Sequence, residues 1–285
     1  MKAQSLERAE SADRPLDLSW ELERTGFARI PGRTFRVSPQ ELALLDVESA
    51  RGRRKNVSYD PASGRMKGWP GDPARAAEAQ ELLARFSDWA TSTLRELLGD
   101  YGDRLEVARA SFRPRRIEMK PISWRKDDRR LHLDAFRTRP VQGRRIIRLF
   151  ANVDPERPRL WDLGEDFTSH AARFLPATRL GPPGVAQLLA GLRVTKSVRT
   201  PYDQLMLQLH DLAKADEGYQ RSSRLRREAF QPGDTWMAFT DQVPHAVVAG
   251  RMLLEHTFHL PVKALHHEAG SPLRILELLT GRRLV

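Results

Sequence analysis

Two blocks of short extended sequence, set apart by a helical stretch, most constrain what this chain can fold into. From residue 104 the apolar pattern shortens into EVARASF, RIEMKPISW, RRLHLDAF and RRIIRLFANV, each bounded by Pro, Gly or charged turns. Helical spacing takes over at 164–229, through EDFTSHAARFL, PPGVAQLLAGL and YDQLMLQLHDLAKA. Extended signals then resume in EAF, TWMAF, HAVVA and RMLLEHTFHL. A strand with one apolar face must cover it with another layer, so the two blocks are expected to close on each other across the insertion. The fold class expected is α+β: a double-stranded β-helix, jelly-roll or cupin-like, with its β core at 104–163 and 228–263 and a helical insertion at 164–227.

Upstream lies an N-terminal helical layer. SPQELALLDVES predicts a helix capped by Ser38, with Glu41 three residues on. A longer helix is predicted from Pro73 to Leu98, where Ala77, Leu82, Leu83, Phe86, Trp89, Ala90, Leu94 and Leu97 recur at helical spacing before GDYGD ends it. Between them RGRRKNVSYDPASGRMKGWPGDP, basic and rich in Gly and Pro, predicts an exposed loop. PLRILELLTGRRLV predicts a closing helix. Residues 1–15 are polar and charged and are expected to be disordered, leaving 16–285 as one domain. A chain of 285 residues buries roughly three quarters of its unfolded surface, so its core needs no staple.

The chain has no cysteine, which removes disulfides, zinc ribbons, iron–sulfur clusters and thiol catalysis at once. No apolar run approaches the ~20 residues of a spanning helix, and MKAQSLERAESADRP lacks the apolar core of a secretory signal. A soluble, intracellular protein is expected. Its 48 Lys and Arg against 37 Asp and Glu give a net charge of +11, which favours an anionic partner or else only keeps the surface solvated.

Without cysteine, a metal site must use His, Asp and Glu. LHLDAF sets His132 and Asp134 two apart on an extended segment, where residues i and i+2 share a face. Downstream, Pro232-Gly233-Asp234 makes a turn, Thr235 to Phe239 a strand, and His245 opens the next strand after a proline. Two histidines and one carboxylate with open positions mark non-haem Fe(II) oxygenases. Iron is favoured over zinc because those positions must take a bidentate keto acid and dioxygen. Among the other histidines His256 is the best rival as third ligand, while His170 and His210 fall on predicted helices. The distal carboxylate of 2-oxoglutarate needs a cation, ideally arginine. Arg148, a lone charge within IIRLFANV, ranks first; Arg251, opening the strand after His245, is the alternative, and Thr257 or Thr240 offers a hydroxyl.

SWRKDDRRLHLDAFRTRP, GRRIIRLFANVDP and DTWMAFTDQVPHAVVAGRMLLEHTFHLP, with weaker likeness in RKNVSYDP and WPGDP, resemble the 3-deoxy-D-manno-oct-2-ulosonic acid (Kdo) hydroxylases over most of residues 50–265. The resemblance implies hydroxylation at C3 of a Kdo sugar in the lipopolysaccharide inner core, giving Ko. It implies Fe(II), 2-oxoglutarate and dioxygen, with metal roles at His132, Asp134 and His245. It also implies work on Kdo-lipid A at the cytoplasmic face of the bacterial inner membrane. Kdo carries a carboxylate and lipid A carries phosphates, so Arg113, Arg115, Arg116, Arg125, Lys126 and the cluster Arg51, Arg53, Arg54 and Lys55 are candidate contacts to substrate and anionic membrane. Two competing readings are the same oxygenase chemistry on a protein or nucleic acid, and a non-catalytic cupin-like binding module. No aromatic-rich basic strand and no helix-turn-helix pattern is present, so no nucleic-acid partner is expected.

Overall fold

A strand covered on both faces loses its polar alternation, and RIIRLFAN is such a strand: every residue from Arg145 to Asn152 is buried. The computed structural model places it at the heart of a sheet, and describes residues 17–46, 56–114, 117, 122–182, 184–223 and 225–285. Ten strands are described: β1 (Phe27–Arg29), β2 (Val57–Asp60), β3 (Arg65–Lys67), β4 (Glu106–Arg113), β5 (Arg145–Asn152), β6 (Arg159–Leu163), β7 (Arg226–Phe230), β8 (Thr235–Phe239), β9 (His245–Ala249) and β10 (Leu253–Leu260). They form a seven-stranded sheet in the order β1-β8-β5-β10-β4-β2-β3 and a three-stranded sheet β7-β6-β9, antiparallel throughout. The fold is α+β.

The two sheets meet through an aromatic cluster. Phe150 and Trp236 rise from the large sheet, and Trp161, Phe230 and Val247 from the small one. Trp236 stacks on Phe230 at 3.7 Å between centroids and on Phe150 at 5.3 Å, while Trp161 meets Trp236 edge-on. Each such pair adds about 0.5–1.5 kcal/mol beyond the area it buries. This cluster fixes the spacing of the sheets, and the site lies beside it.

Among the described residues eight α-helices surround the strands: α1 (Ser19–Thr25), α2 (Pro39–Leu45), α3 (Ala76–Leu97), α4 (Phe167–Phe174), α5 (Val185–Gly191), α6 (Pro201–Ala215), α7 (Glu217–Ser222) and α8 (Pro272–Thr280). Ser38 and Glu41 form the capping box that starts α2, and Thr200 and Asp203 form another at α6. The buried stripe Leu82, Leu83, Phe86, Ala90, Leu94 and Leu97 of α3 covers the outer face of the large sheet. There His256 of β10 meets Ser87 of α3, Nε2 to Oγ at 2.8 Å.

Three local expectations fail. RRLHLDAF is extended but is no strand. His132 forms a lone bridge with His245, because Val243 gives its N–H to the Phe239 carbonyl in the turn before β9 and cannot continue the ladder. Within RIEMKPISW, Ile117 donates its N–H to the Gly250 carbonyl at 3.0 Å, but Trp124 opens a short 3₁₀ turn, Trp124–Lys126. Residues 116 and 118–121 of that segment lie outside the described residues. The basic loop after α2 contains the β2–β3 hairpin, since Val57 and Tyr59 alternate into the core and β2 pairs with β4.

Candidate active site

His132 and His245 face each other across an antiparallel bridge and exchange both backbone hydrogen bonds, at 3.1 and 3.0 Å. That pairing brings the rings to 4.7 Å between centroids. Each ring is oriented by a backbone carbonyl: Nδ1 of His132 lies 2.7 Å from the Arg130 oxygen, and Nδ1 of His245 lies 2.9 Å from the Val243 oxygen. A carbonyl can only accept, so Nδ1 carries the proton in both rings and the Nε2 lone pairs are left to bind. Asp134 follows two residues after His132, its N–H fixed to the Thr240 carbonyl at 2.7 Å. One ligating atom from each of His132, Asp134 and His245 lies within 4.8 Å of the others.

The electrostatics suit a cation. Burial, aided by mutual repulsion, pushes the His132 pKa well below its ordinary value, and burial lowers that of His245. Both imidazoles are therefore held neutral. Burial opposes the charged form of Asp134, but the Arg148 guanidinium, with Nε 3.1 Å from Oδ2, acting together with His245, His132 and Thr240, outweighs it and holds the carboxyl below its usual range. Two neutral nitrogen donors and one carboxylate are the donor set of a divalent, borderline-soft metal such as ferrous iron. Trp161 stacks on His245 at 5.1 Å and 17°, and His210 of α6 meets His132 edge-on at 5.2 Å.

Cations wall the rest of the cavity. Arg113 grips Glu255 with two bonds, Nε to Oε2 at 2.8 Å and Nη2 to Oε1 at 3.1 Å, and Ser111 donates to the same carboxylate. Arg148 reaches Glu255 with Nη1 at 3.3 Å, so its charge is shared between Glu255 and Asp134. Arg159 differs. It is 1% exposed, and its Nε and Nη1 have no hydrogen-bond partner; the indole N–H of Trp161 is likewise buried without one. Burial and nearby Arg113 push the Arg159 pKa down to about 9, still charged at neutral pH. Gly250, at φ +118°, makes room for this side chain: a Cβ there would come within 2.6 Å of the Arg159 Cδ. The cavity measures about 160 Å³. At roughly 10–15 Å³ of such space per water, it has room for on the order of ten waters, the scale of a small organic acid beside a metal.

The predicted residues are distributed unevenly. Arg113, Arg125, His132, Asp134, Arg148 and His245 all line the cavity. Arg125 is exposed and lies over the Trp124 ring at 4.0 Å, and the exposed Lys126 follows it in the same turn, away from the lining. Arg251 is elsewhere, with Nε 2.9 Å from Asp154 and Nη1 3.4 Å from Asp46. Thr257 sits opposite Arg148 in the β10–β5 register but does not line the cavity. His256 turns to α3, so its ring is outside the cluster. Arg51, Arg53, Arg54, Lys55, Arg115 and Arg116 lie outside the described residues.

Sequence reasoning missed Arg159, Trp161, His210, Lys214 and Glu255, all of which line the cavity. The first two stand two apart in RLWDL, a segment short enough to pass as the tail of the DPERP turn. His210 and Lys214, four apart on α6, share one helix face. Lys214 is buried, with Nζ 3.7 Å from Asp128 and 3.4 Å from the Arg125 carbonyl.

Comparison with known proteins gives the family. The family model of 3-deoxy-D-manno-oct-2-ulosonic acid (Kdo) hydroxylase matches residues 5–283. Among solved structures, the apo form of the Kdo hydroxylase KdoO, a non-heme Fe(II) alphaketoglutarate-dependent dioxygenase, is 39% identical, with 95% of this chain and 94% of that one covered and a TM-score of 0.86. KdoO in complex with alphaketoglutarate and Fe(III) is 38% identical over the same shares, also with a TM-score of 0.86. KdoO with succinate and Fe(III) gives the same values. No curated protein sequence matches the chain. The chain belongs to the Kdo hydroxylase family and is an Fe(II)- and 2-oxoglutarate-dependent dioxygenase.

Proposed function

We propose that the protein hydroxylates C3 of a Kdo sugar in Kdo-lipid A, giving Ko, with ferrous iron held by His132, Asp134 and His245. In this reading residues 16–285 are one oxygenase domain, and the two facing sheets are the halves of a double-stranded β-helix. The observation that carries it is a cluster of two neutral histidines and one carboxylate sharing a small cavity with a buried arginine, Arg159, whose Nε and Nη1 lack hydrogen-bond partners. A buried guanidinium without a partner is costly, and an anionic ligand removes that cost.

When bound, iron with 2-oxoglutarate and dioxygen supplies the oxidising chemistry, releasing succinate and carbon dioxide as a C–H bond is hydroxylated. The protein's part is positioning. The carbonyls of Arg130 and Val243 aim the two Nε2 lone pairs, and Arg148 keeps Asp134 ionised. Arg159, helped by the Trp161 indole N–H, takes the distal carboxylate of the keto acid. It is better suited than Arg148, whose charge Asp134 and Glu255 already share, and than Arg251, which lies outside the cavity. The stacked Trp161 and neighbouring Phe150 exclude water from one side. Arg125, Lys214 and Arg113 form a basic wall for the sugar's carboxylate, tempered by Asp128.

The lipid-linked substrate places the protein at the cytoplasmic face of the inner membrane, against anionic lipid. Support comes from the +11 charge and from the fact that no described helix is long and apolar enough to cross a membrane. Anaerobic addition of Fe(II) and then 2-oxoglutarate to metal-free protein should raise a visible charge-transfer band that Asp134→Ala abolishes. Mass spectrometry of Kdo-lipid A after turnover should show a gain of one oxygen on the sugar. Tight binding of zinc with no band on iron would defeat the metal assignment, and unmodified Kdo-lipid A would defeat the substrate.

A further inference from the structure

Exposed apolar side chains are gathered on one side of the helical insertion. Of thirteen large hydrophobic residues exposed among the described ones, six fall between Leu180 and Val198, on α5 and its flanks, and two more are Leu278 and Leu279 on α8. Leu188 is 60% exposed, Leu192 65%, Val194 54% and Leu278 82%. The two groups adjoin. Leu180 and Leu279 line one open groove of about 770 Å³, and the Tyr202 N–H, just past Val198, donates to the Leu284 carbonyl beyond α8.

The chain that carries these residues is strongly basic. Residues 167–202 contain Arg173, Arg179, Arg193, Lys196 and Arg199 and no Asp or Glu, and after Glu277 come Arg282 and Arg283 with no acidic side chain. Exposed arginines elsewhere pair with carboxylates, as Arg29 does with Glu228 and Arg75 with Glu78, and at the start of this stretch Arg173 pairs with Asp216. An apolar patch with a mostly cationic rim, in which Glu277 is held by Arg274 and Asp216 by Arg173, matches one surface above others, an anionic bilayer, which accepts leucines below its headgroups and cations among them. A second copy of this chain is a poor occupant, because a two-fold contact would set the same positive rim against itself.

We propose that α5 with its flanks, together with the exposed face of α8, docks the protein on an anionic membrane. The inference goes beyond the oxygenase reading, resting on it only for the purpose of docking. The patch is tied to the site: the Lys196 N–H donates to the Thr138 carbonyl at 2.9 Å, four residues after Asp134, and α6, which follows, carries His210 and Lys214 to the cavity. Docking through this surface holds the site near headgroup depth, where a lipid-linked sugar is presented.

The test is co-sedimentation of the full chain with vesicles of phosphatidylcholine alone and of equal parts phosphatidylcholine and phosphatidylglycerol. Binding is expected to the anionic vesicles and to fall with added salt. L188E/L192E and R193E/K196E should each weaken it by roughly tenfold or more. Both variants alter exposed positions, so the Fe(II)–2-oxoglutarate band and the melting temperature should stay at wild-type values. Equal binding by wild type and both variants, or no binding to anionic vesicles, overturns the proposal. So does a wild-type dimer in sedimentation velocity that L188E/L192E converts to monomer, which would assign the patch to self-association. Vesicle binding through this patch by a protein that leaves Kdo-lipid A unmodified would sink the substrate reading and leave the docking surface standing.

Discussion

At the scale of single residues the cavity is a problem in compensating charge. Arg113 and Arg148 are balanced by Glu255 and Asp134, whereas Arg159 keeps two buried nitrogens, Nε and Nη1, without hydrogen-bond partners. A hydrogen bond to a charged group is worth about 1.5–3 kcal/mol, so its loss weakens a ligand roughly 10- to 150-fold. Arg159→Met should weaken 2-oxoglutarate by that factor in anaerobic calorimetry while Fe(II) binding is retained. Arg251→Ala, outside the cavity lining and paired with Asp154 and Asp46, should change it less than about twofold. If Arg148→Met gave the selective loss of keto acid and Arg159→Met did not, the two arginines would have to exchange roles.

At the scale of elements β10 does two jobs through strand parity. Glu255 points to the cavity and His256 to α3, where the Ser87 hydroxyl meets Nε2 and burial pushes the His256 pKa down to about 4. An unfolded histidine titrates near 6.5, so between those values the unfolded chain binds more protons than the folded one. The stability tied to this residue is therefore complete above pH 6.5 and is lost as pH falls toward 4, by on the order of 2–3 kcal/mol. His256→Gln should flatten the fall in melting temperature between pH 6.5 and 4 in scanning calorimetry; an unchanged slope would mean that His256 does not report on the α3–β10 contact. Parity also decides what could be read from sequence. The helix α3 and the Ser38 cap were legible because their signals are local. His132 and Asp134 were legible because they sit two apart, although what holds them is a bridge to a residue over a hundred positions away. The β2–β3 hairpin was hidden by its charged, Gly-rich setting, and only Val57 and Tyr59, buried against β4, make it a strand pair. The strand β6 was hidden because its inward residues include a charged arginine, which an apolar-pattern reading takes for a surface position.

At the scale of the whole molecule, function and stability pull against each other through the same arginine. A buried guanidinium short of partners destabilises the fold that carries it, and apolar replacement of buried charge often stabilises by about 1–4 kcal/mol. Metal-free Arg159→Met should thus melt higher than metal-free wild type, an increase no loss-of-packing account would give. Wild type has the larger gain on loading. A ligand at a hundred times its Kd stabilises by about 2.7 kcal/mol, which for a chain of this size raises the melting temperature on the order of 5–10 °C. Iron and 2-oxoglutarate together should produce that rise in wild type, and Arg159→Met should keep only the part due to iron. The two curves then cross: the variant is more stable empty, and the wild type is more stable loaded. A variant that melted lower in both states would show that Arg159 is part of the packing between the sheets and not a charge held in wait for an anion.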